Sequence, residues 1–374
     1  MKIACYTDIH NQQVMLNYPT TLRKSAVVAA EKTLEEFGKA DLSVIGGDNL
    51  SDYPYWNRSC ALPYKNWLDI KEKLVKNFAR TAKDEKVLYV GGNNDPIMGD
   101  FPTRDNPPYN TCEFYESGPM KEMLGELADG EYYGVYAKAK GPQAGLYHLA
   151  FHYVIDGIDF FGLNVDPDDA FDNHDCGYNR ESLVWLKEKL REVDPEGNKL
   201  IFVVGHLSVT SRMTDGTICG KYVDVPHRKW MLDAFAGHKN LFYLYGHVHG
   251  QDYLRSESWQ GILHFDANGD LIGADHEELT EEEAARVSFH TVHMGGLRPF
   301  AAKPFEFFEE DGLTGMVPGD KEPRFYECTG TPKIGQYLMI ETTDTAVNFS
   351  YRNTGSLPGY TVADKPKTAT VLLR

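Results

Sequence analysis

Two histidines one residue apart, His247 and His249, stand just after an apolar run that predicts a short buried strand over 241–245. A chain that turns where such a strand ends can direct both imidazole rings toward one point. Neutral imidazole is a common ligand for zinc, iron and similar ions. A Gly-His-x-His stretch by itself is a weak signal, because it also occurs in ordinary loops. Its meaning depends on whether other parts of the chain supply matching ligands.

Further groups of candidate ligands follow predicted strands earlier in the chain. They are Asp8-x-His10, Gly47-Asp48, Gly92-Asn93-Asn94-Asp95 and Gly205-His206. Carboxylates, an amide oxygen and imidazoles can together hold two divalent ions, with one carboxylate shared between the ions. A two-metal site generates a hydroxide nucleophile and clamps both the attacking and the leaving oxygen of an in-line displacement at phosphorus.

The elements between these groups predict an α/β fold with parallel strands. Strand, helix, strand, helix and strand follow one another from the N-terminus, and a polar group stands where each strand ends. Open α/β sheets place their ligands at this edge. The predicted strands of this core are 2–6, 41–45, 87–90, 200–204 and 241–245, and the predicted helices are 21–37, 67–82, 181–193 and 227–235.

We predict a single domain over residues 1–355, followed by a C-terminal tail over 356–374. Two stretches rich in proline and glycine, near 99–145 and 295–323, are predicted insertions because they show little apolar periodicity. Further strands are predicted at 146–153, 158–164, 262–265, 287–292, 337–340 and 346–351.

Composition and charge limit the classes of protein that fit. With 374 residues, of which 42% are hydrophobic and 25% charged, the chain has the composition of a soluble globular protein. The formal net charge of −17 disfavours nucleic acid or an anionic membrane as a partner. No apolar run predicts a membrane span or a signal peptide. The six cysteines form no Cys-x-x-Cys pair, so we predict reduced thiols and a cytoplasmic protein.

In this order, the five groups resemble the pattern of the metallophosphoesterase, or calcineurin-like phosphoesterase, superfamily. That pattern is Asp-x-His, Gly-Asp, Gly-Asn-His-Asp/Glu, His and Gly-His-x-His, and the match covers roughly residues 1–250. The resemblance implies two facing mixed β-sheets flanked by helices, a four-layer αββα sandwich. It also implies two divalent metal ions as cofactors, and the ligand types do not distinguish manganese, iron, zinc, cobalt and nickel.

The resemblance also implies a role for seven residues as metal ligands. Asp8, His10 and His249 are expected to hold one ion, Asn93, His206 and His247 the other, and Asp48 to bridge the two. Any single one of these side chains also occurs hydrogen-bonded in an ordinary turn. Their combined presence after successive strands favours ligation.

Two departures from the family bear on substrate and mechanism. The segment after Asp48 lacks the arginine of protein Ser/Thr phosphatases, which disfavours a dedicated phosphoprotein phosphatase. The stretch 177–186 instead resembles purple-acid-phosphatase-like and cyclic-nucleotide-phosphodiesterase-like members. Asn94 stands where the family usually has a histidine that protonates the leaving oxygen, which an amide cannot do. Losing a general acid typically costs about 10²–10⁴ in rate.

Several residues are candidates for contacts with the substrate. Asn94 is predicted to orient the phosphate, and Arg212 to bind a phosphate oxygen, with a plain surface position as the alternative for Arg212. His174, in a polar loop, is a candidate catalytic proton donor in place of the usual histidine, with a plain surface position as an equal alternative. His152 is a second candidate, but its place in an apolar run favours a buried core histidine.

The sequence therefore predicts a hydrolase of small phosphate monoesters or diesters. In this mechanism a hydroxide that bridges the metal ions attacks in line at phosphorus. One alternative is a phosphodiesterase specific for a nucleotide or cyclic nucleotide. A second is a catalytically weak module that binds metal or a partner protein, which only Asn94 supports. Nuclease action is disfavoured by the acidic balance, and the sequence leaves the oligomeric state open.

Overall fold

The structure is a computed structural model that describes fourteen stretches of the chain. They are residues 1–9, 22, 24–49, 64–92, 131–135, 148–165, 178–209, 211–212, 218–219, 225–247, 261–274, 279–297, 335–354 and 367–374. In chain order the elements are β1 (Lys2–Tyr6), α1 (Lys24–Phe37), β2 (Leu42–Gly46), α2 (Tyr64–Ala79), a 3₁₀ turn (Lys83–Glu85), β3 (Val87–Val90), β4 (Glu131–Val135), β5 (His148–Ile155), β6 (Ile158–Leu163), α3 (Arg180–Val193), β7 (Ile201–Val204), β8 (Ser211–Arg212), β9 (Ile218–Cys219), α4 (Val225–Phe235), β10 (Leu241–Tyr245), β11 (Ile262–Phe265), β12 (Leu271–Ala274), α5 (Glu281–Arg286), β13 (Phe289–His293), β14 (Gln336–Thr342), β15 (Ala346–Asn353) and β16 (Lys367–Leu372).

Two large mixed sheets contain nearly all of these strands. Sheet A has the order β16-β15-β14-β1-β2-β3, in which β1, β2 and β3 are parallel and the others antiparallel. Sheet B has the order β12-β11-β13-β10-β7-β6-β5-β4, with β13, β10, β7 and β6 parallel. Strands β8 and β9 form a separate pair. The predicted fold class, two mixed β-sheets flanked by helices, is confirmed.

The core between the sheets is built around a row of phenylalanines on sheet B. Phe160, Phe202 and Phe242 are register partners on β6, β7 and β10, with ring centroids 5.3 and 5.7 Å apart. Phe242 also contacts Phe349 of sheet A, at 5.6 Å between centroids. The strands are apolar on both sides because each sheet is covered by the other sheet and by helices.

Helices cover the outer face of each sheet. Phe78 of α2 packs in the core of sheet A, where the Ser43 hydroxyl of β2 also donates to its carbonyl oxygen. On sheet B, Leu186 of α3 and Phe235 of α4 pack against the outward-facing side chains of β7 and β10. Helix α3 begins at a cap, because the side chain of Asn179 accepts a hydrogen bond from the backbone N–H of Glu181. These contacts give the layer order helix, sheet, sheet, helix.

Three edge strands lie in stretches where the sequence predicted no strand. One is β12 (Leu271–Ala274), at one edge of sheet B. Strand β4 falls within the predicted insertion 99–145, and β16 falls within the predicted tail 356–374. Strand β16 pairs with β15 and turns Ala369 and Val371 toward the core, between exposed threonines. So few apolar residues give little alternation for a sequence pattern to detect. The domain boundary and the two insertions remain predictions.

The described helices are all too short or too polar for the bilayer interior. None of them combines the length and the apolar character that crossing a membrane requires.

Candidate metal centre

The carboxyl ends of parallel strands from both sheets meet at one place. Asp8 follows β1 and Asp48 follows β2 in sheet A, while His206 follows β7 and His247 follows β10 in sheet B. Ligand atoms of Asp48, His206 and His247 lie within 4.8 Å of one another. We refer to these three residues as the Asp48 cluster. The strand-end positions noted in the sequence therefore converge in space.

Some predicted site residues fall beyond the reach of the structure. Five of them lie outside the described residues: His10, Asn93, Asn94, His174 and His249. Arg212 lies in β8, where only its backbone is described. Four of the seven predicted ligands can therefore be placed, and the division of ligands between two ions stays a prediction.

Three of the residues in this region have left-handed backbone conformations. The φ angles are 49° at Asp8, 50° at Asp48 and 70° at His247. For a residue with a side chain this conformation costs roughly 1–2 kcal/mol, because Cβ crowds the following carbonyl oxygen. Strain of this kind persists where surrounding contacts enforce it, and it concentrates at functional sites. Here it turns the chain sharply where the strands end.

The carboxylate of Asp8 ties two strand ends together. It accepts hydrogen bonds from the backbone N–H of His247, at 3.1 and 2.9 Å to its two oxygens, and Oδ2 lies 2.9 Å from the Thr7 hydroxyl. The Asp8 N–H in turn donates to the Gly47 carbonyl oxygen at 3.0 Å. A Cβ on Gly246 would lie 2.4 Å from Asp8 Oδ2, so only glycine allows this close approach. The turns that follow β2 and β10 are therefore both hydrogen-bonded to Asp8.

His206 is completely buried and held by both ring nitrogens. Its Nδ1 lies 2.8 Å from the carbonyl oxygen of Gly46, which can only accept, so Nδ1 carries the proton and donates it. Its Nε2 therefore faces the carboxylate of Asp48, at 3.1 Å from Oδ2. Burial lowers the pKa of His206, but the Asp48 carboxylate outweighs burial and raises this pKa to about 9. The position between Nε2 and the carboxylate favours a positive charge, either a proton or a metal ion.

The donor set fits a divalent transition metal. Imidazole nitrogens combined with a carboxylate oxygen suit zinc, iron or manganese better than calcium. Histidines that bind metal usually donate their other ring N–H to a carboxylate or a backbone carbonyl. His206 has this arrangement with Gly46, so Nε2, directed at Asp48, is the atom at which a metal ion would replace a proton.

His152 does not contribute to this region. Its Nε2 lies 2.7 Å from the buried carboxylate of Asp159, and its ring stacks on Phe161 with centroids 4.4 Å apart. Phe161 belongs to the core on the outer, helix-covered side of sheet B. The interpretation of His152 as a core histidine is confirmed.

Two residues that contact the site segments were not singled out from the sequence. Tyr178 lies in the family-like stretch 177–186, which was the only signal for it. Asn164 follows β6, and its side-chain oxygen accepts a hydrogen bond from the backbone N–H of Gly91 at 2.7 Å. This bond links sheet B to the segment that leads to Asn93. The signal for Asn164 was its place as a polar residue at a strand end, like the predicted ligands.

Removing the side-chain oxygen of Asn164 is expected to loosen the segment after β3. In an Asn164→Ala variant the buried N–H of Gly91 loses its acceptor, which costs about 1–3 kcal/mol. We expect hydrogen exchange of the Gly91 amide to become at least about tenfold faster. An Asn164→Asp variant keeps an oxygen at the same position and is expected to keep Gly91 protected. Equal protection in the alanine variant would contradict this role.

The fold and this site together define a class, α/β sandwiches with a carboxylate and imidazole cluster at their strand ends. The sequence profile of one family, described as calcineurin-like phosphoesterase, matches residues 1–251. The chain belongs to the calcineurin-like phosphoesterase family. The family predicted from the sequence is therefore confirmed. The family as a whole is metal-dependent. The predicted branch within the family stays a prediction.

Solved structures that match this chain share little sequence with it, and their TM-scores are low. Vps29 complexed with Zn²⁺ from Entamoeba histolytica has 10% identity and a TM-score of 0.30, with 100% of each chain covered. A conserved uncharacterized protein from Streptococcus pneumoniae, described as a predicted phosphoesterase, has 11% identity and a TM-score of 0.28, covering 99% and 97%. A hypothetical protein from Thermus thermophilus has 12% identity and a TM-score of 0.33, covering 100% and 98%. No curated protein matches the chain significantly.

Proposed function

We propose that this protein is a divalent-metal-dependent hydrolase of small phosphate esters. The observation that carries the proposal is the Asp48 cluster, in which two imidazoles from sheet B meet a carboxylate from sheet A. Its place at the carboxyl ends of parallel strands, and the membership in a family of phosphoesterases, support the same function.

The proposed ligands are those that the family resemblance implies. Asp8, His10 and His249 would hold one ion, Asn93, His206 and His247 a second, and Asp48 would bridge both. When bound, such ions polarise phosphoryl oxygens and lower the pKa of water. The orientation of His206 supports this assignment, because its Nδ1–H is committed to Gly46 and its Nε2 faces Asp48, where a metal ion would replace a proton.

The protein's own groups would hold and orient the substrate. Asn94 is proposed to hydrogen-bond a phosphoryl oxygen, and Arg212 to pair with another. Because His152 belongs to the core, His174 is the remaining candidate of the two histidines considered as proton donors. Without a titrating acid at position 94, the reaction is expected to favour esters whose leaving groups depart without protonation. The proposed substrates are therefore small phosphate monoesters or diesters with good leaving groups, and the net charge of −17 disfavours nucleic acid.

A screen of phosphate esters tests the proposal directly. The purified chain, loaded in turn with Mn²⁺, Zn²⁺, Co²⁺, Ni²⁺ and Fe²⁺, would be assayed with p-nitrophenyl phosphate, bis-p-nitrophenyl phosphate and cyclic nucleotides. Hydrolysis of the monoester or the diester would support the proposal and separate a phosphatase from a phosphodiesterase. Absence of turnover with every metal would contradict it.

An Asn94→His variant separates a weak enzyme from a module without activity. If Asn94 replaces a general acid, the histidine is expected to accelerate hydrolysis of alkyl phosphates by about 10²-fold. Nitrophenyl esters, which need no protonation, should change by less than about threefold. The measurement is kcat/KM for both ester types, with Asn94→Gln as the control. If the native protein hydrolyses no aryl ester while the histidine variant does, the module that binds metal or a partner becomes the better proposal.

A further inference from the structure

Two buried tyrosines lie behind the segment that carries His206. Tyr178 stands just before α3, and Tyr243 lies in the middle of β10. Both side chains are fully buried, and their hydroxyl oxygens are 2.9 Å apart. They pack in the core on the outer side of sheet B, so their hydroxyl groups approach the chain of His206 from behind.

The hydroxyl groups bind the main chain of the predicted ligand itself. The Tyr178 oxygen accepts from the backbone N–H of His206 at 2.7 Å and from that of Leu207 at 2.8 Å. The Tyr243 hydroxyl donates to the carbonyl oxygen of Leu207 at 2.6 Å. Because Tyr243 uses its proton on Leu207, its oxygen is available to accept from Tyr178. Three buried polar groups of the strand end thereby have hydrogen-bond partners.

The close approach of the two phenols also accounts for Gly205. A Cβ at this position would lie 2.5 Å from each of the hydroxyl oxygens of Tyr178 and Tyr243. Burial holds the pKa of Tyr243 well above its usual range, so the hydroxyl remains a proton donor. The lack of a side chain at Gly205 therefore makes room for the two hydroxyl groups that bind the main chain of His206 and Leu207.

We infer that Tyr178 and Tyr243 are positioning residues that hold His206 in its metal-binding geometry before any ion arrives. The phenols fix the main chain of His206, while the carbonyl oxygen of Gly46 fixes its ring through Nδ1. With both ends held, Nε2 keeps its direction toward Asp48 without help from a ligand. Preorganisation of this kind raises affinity because less motion is lost on binding. This inference rests on the proposed metal-dependent function.

The test compares Tyr178→Phe with a matched control, Tyr6→Phe. Tyr6 is also fully buried, and its hydroxyl lies 2.8 Å from that of Thr33 in α1, on the helix side of sheet A. Each variant loses one buried phenol hydroxyl, so their stabilities are expected to fall by similar amounts. Affinity for Mn²⁺, measured by calorimetry on the full chain, is expected to weaken by about 10- to 100-fold in Tyr178→Phe. In the Tyr6→Phe control it is expected to remain within about threefold of the native value.

Hydrogen exchange gives a second measurement that needs no metal. In Tyr178→Phe the amides of His206 and Leu207 should exchange faster, whereas in Tyr6→Phe they should keep native protection. If Tyr178→Phe does not fold, Tyr243→Phe takes its place, with a smaller loss of affinity expected. Native affinity in the folded variant, or an equal loss in the Tyr6→Phe control, would overturn the inference. If the native protein binds Mn²⁺ but hydrolyses no ester, the proposed function fails while the inference stands on the affinities.

Discussion

An Asp48→Asn variant is expected to lose the stabilisation that Mn²⁺ gives the native protein and to lose phosphate-ester hydrolysis by more than about 100-fold. Replacing groups that merely orient a metal ligand already costs about 10–100-fold in affinity or activity. Asp48 is the carboxylate of the described cluster that both histidines approach, and it is proposed to serve both ions. Its loss should therefore cost more than the loss of any supporting group.

The substitution is designed to remove charge and leave the backbone undisturbed. Asp48 has a left-handed φ of 50°, and asparagine tolerates this conformation better than most residues. The amide is close in size to the carboxylate, so packing in this buried position is retained. The variant should fold without metal, and the difference from the native protein should appear when metal is added.

The expected magnitude follows from mass action. At a free Mn²⁺ concentration of about 100 times Kd, binding stabilises the native protein by about 2.7 kcal/mol. If Kd weakens about 100-fold in the variant, the same concentration contributes only about 0.4 kcal/mol. Thermal unfolding with and without Mn²⁺ measures this difference without requiring activity.

A matched control is available in the loops that lead into β7 and β10, at the strand ends opposite the Asp48 cluster. Asp194 is also a buried aspartate beside a histidine, with its Oδ2 2.8 Å from His238 Nδ1. Asp194→Asn is expected to lower stability at every metal concentration but to keep the native stabilisation by Mn²⁺. A full Mn²⁺ shift in Asp48→Asn would show that the Asp48 cluster does not bind the ion.

Much of the site could be predicted because its signals are local. Asp8, Asp48, His206 and His247 each follow a short apolar run, and the ends of parallel strands meet at one edge. The strands and helices of the core were visible for the same reason, since burial on one or both faces imposes a period on the sequence. Candidate ligand residues at strand ends can therefore be recognised from the sequence before the fold is known.

What supports the site could not be predicted, because it depends on pairing between distant parts of the chain. Tyr178 and Tyr243 are separated by 65 positions, and each alone resembles an ordinary core aromatic. Asn164 meets Gly91 across two different sheets. Neither contact leaves a periodic pattern in the sequence, so only the topology of the two sheets shows which buried polar groups meet.

The same limit applies to two buried histidines on sheet B. His264 and His290 are register partners on β11 and β13, with their Nδ1 atoms 2.7 Å apart. His290 Nε2 lies 3.1 Å from the carbonyl oxygen of Lys239, which can only accept, so Nε2 carries the proton. The Nδ1 of His290 is then bare and accepts from the Nδ1–H of His264. Both rings are neutral in this arrangement, and His290 stacks on Phe242 in the core between the sheets.

We expect this pair to make the protein less stable in mild acid. Burial, with the nearby Arg374 adding to it, lowers the pKa of His264 to about 4, and burial lowers the pKa of His290 well below its usual range. In the unfolded chain both rings protonate near their ordinary pKa of about 6.5. Below that pH the unfolded state binds more protons than the folded state, so stability falls as pH decreases. The contribution is fully present above about pH 6.5 and is lost progressively down to about pH 4.

A His264→Asn variant isolates this effect. The side-chain amide places an N–H donor near the position of Nδ1 and does not titrate, so the bond to His290 can persist. Between pH 8 and pH 4.5 the native protein should lose about 2–3 kcal/mol more unfolding free energy than the variant, since each pKa unit corresponds to about 1.4 kcal/mol. Urea unfolding at both pH values measures the two losses. Titration of His206 and of the surface carboxylates is common to both proteins and cancels in the comparison. Equal losses would mean that His264 takes up its proton at the same pH in the folded protein as in the unfolded chain, and the neutral buried pair would have to be abandoned.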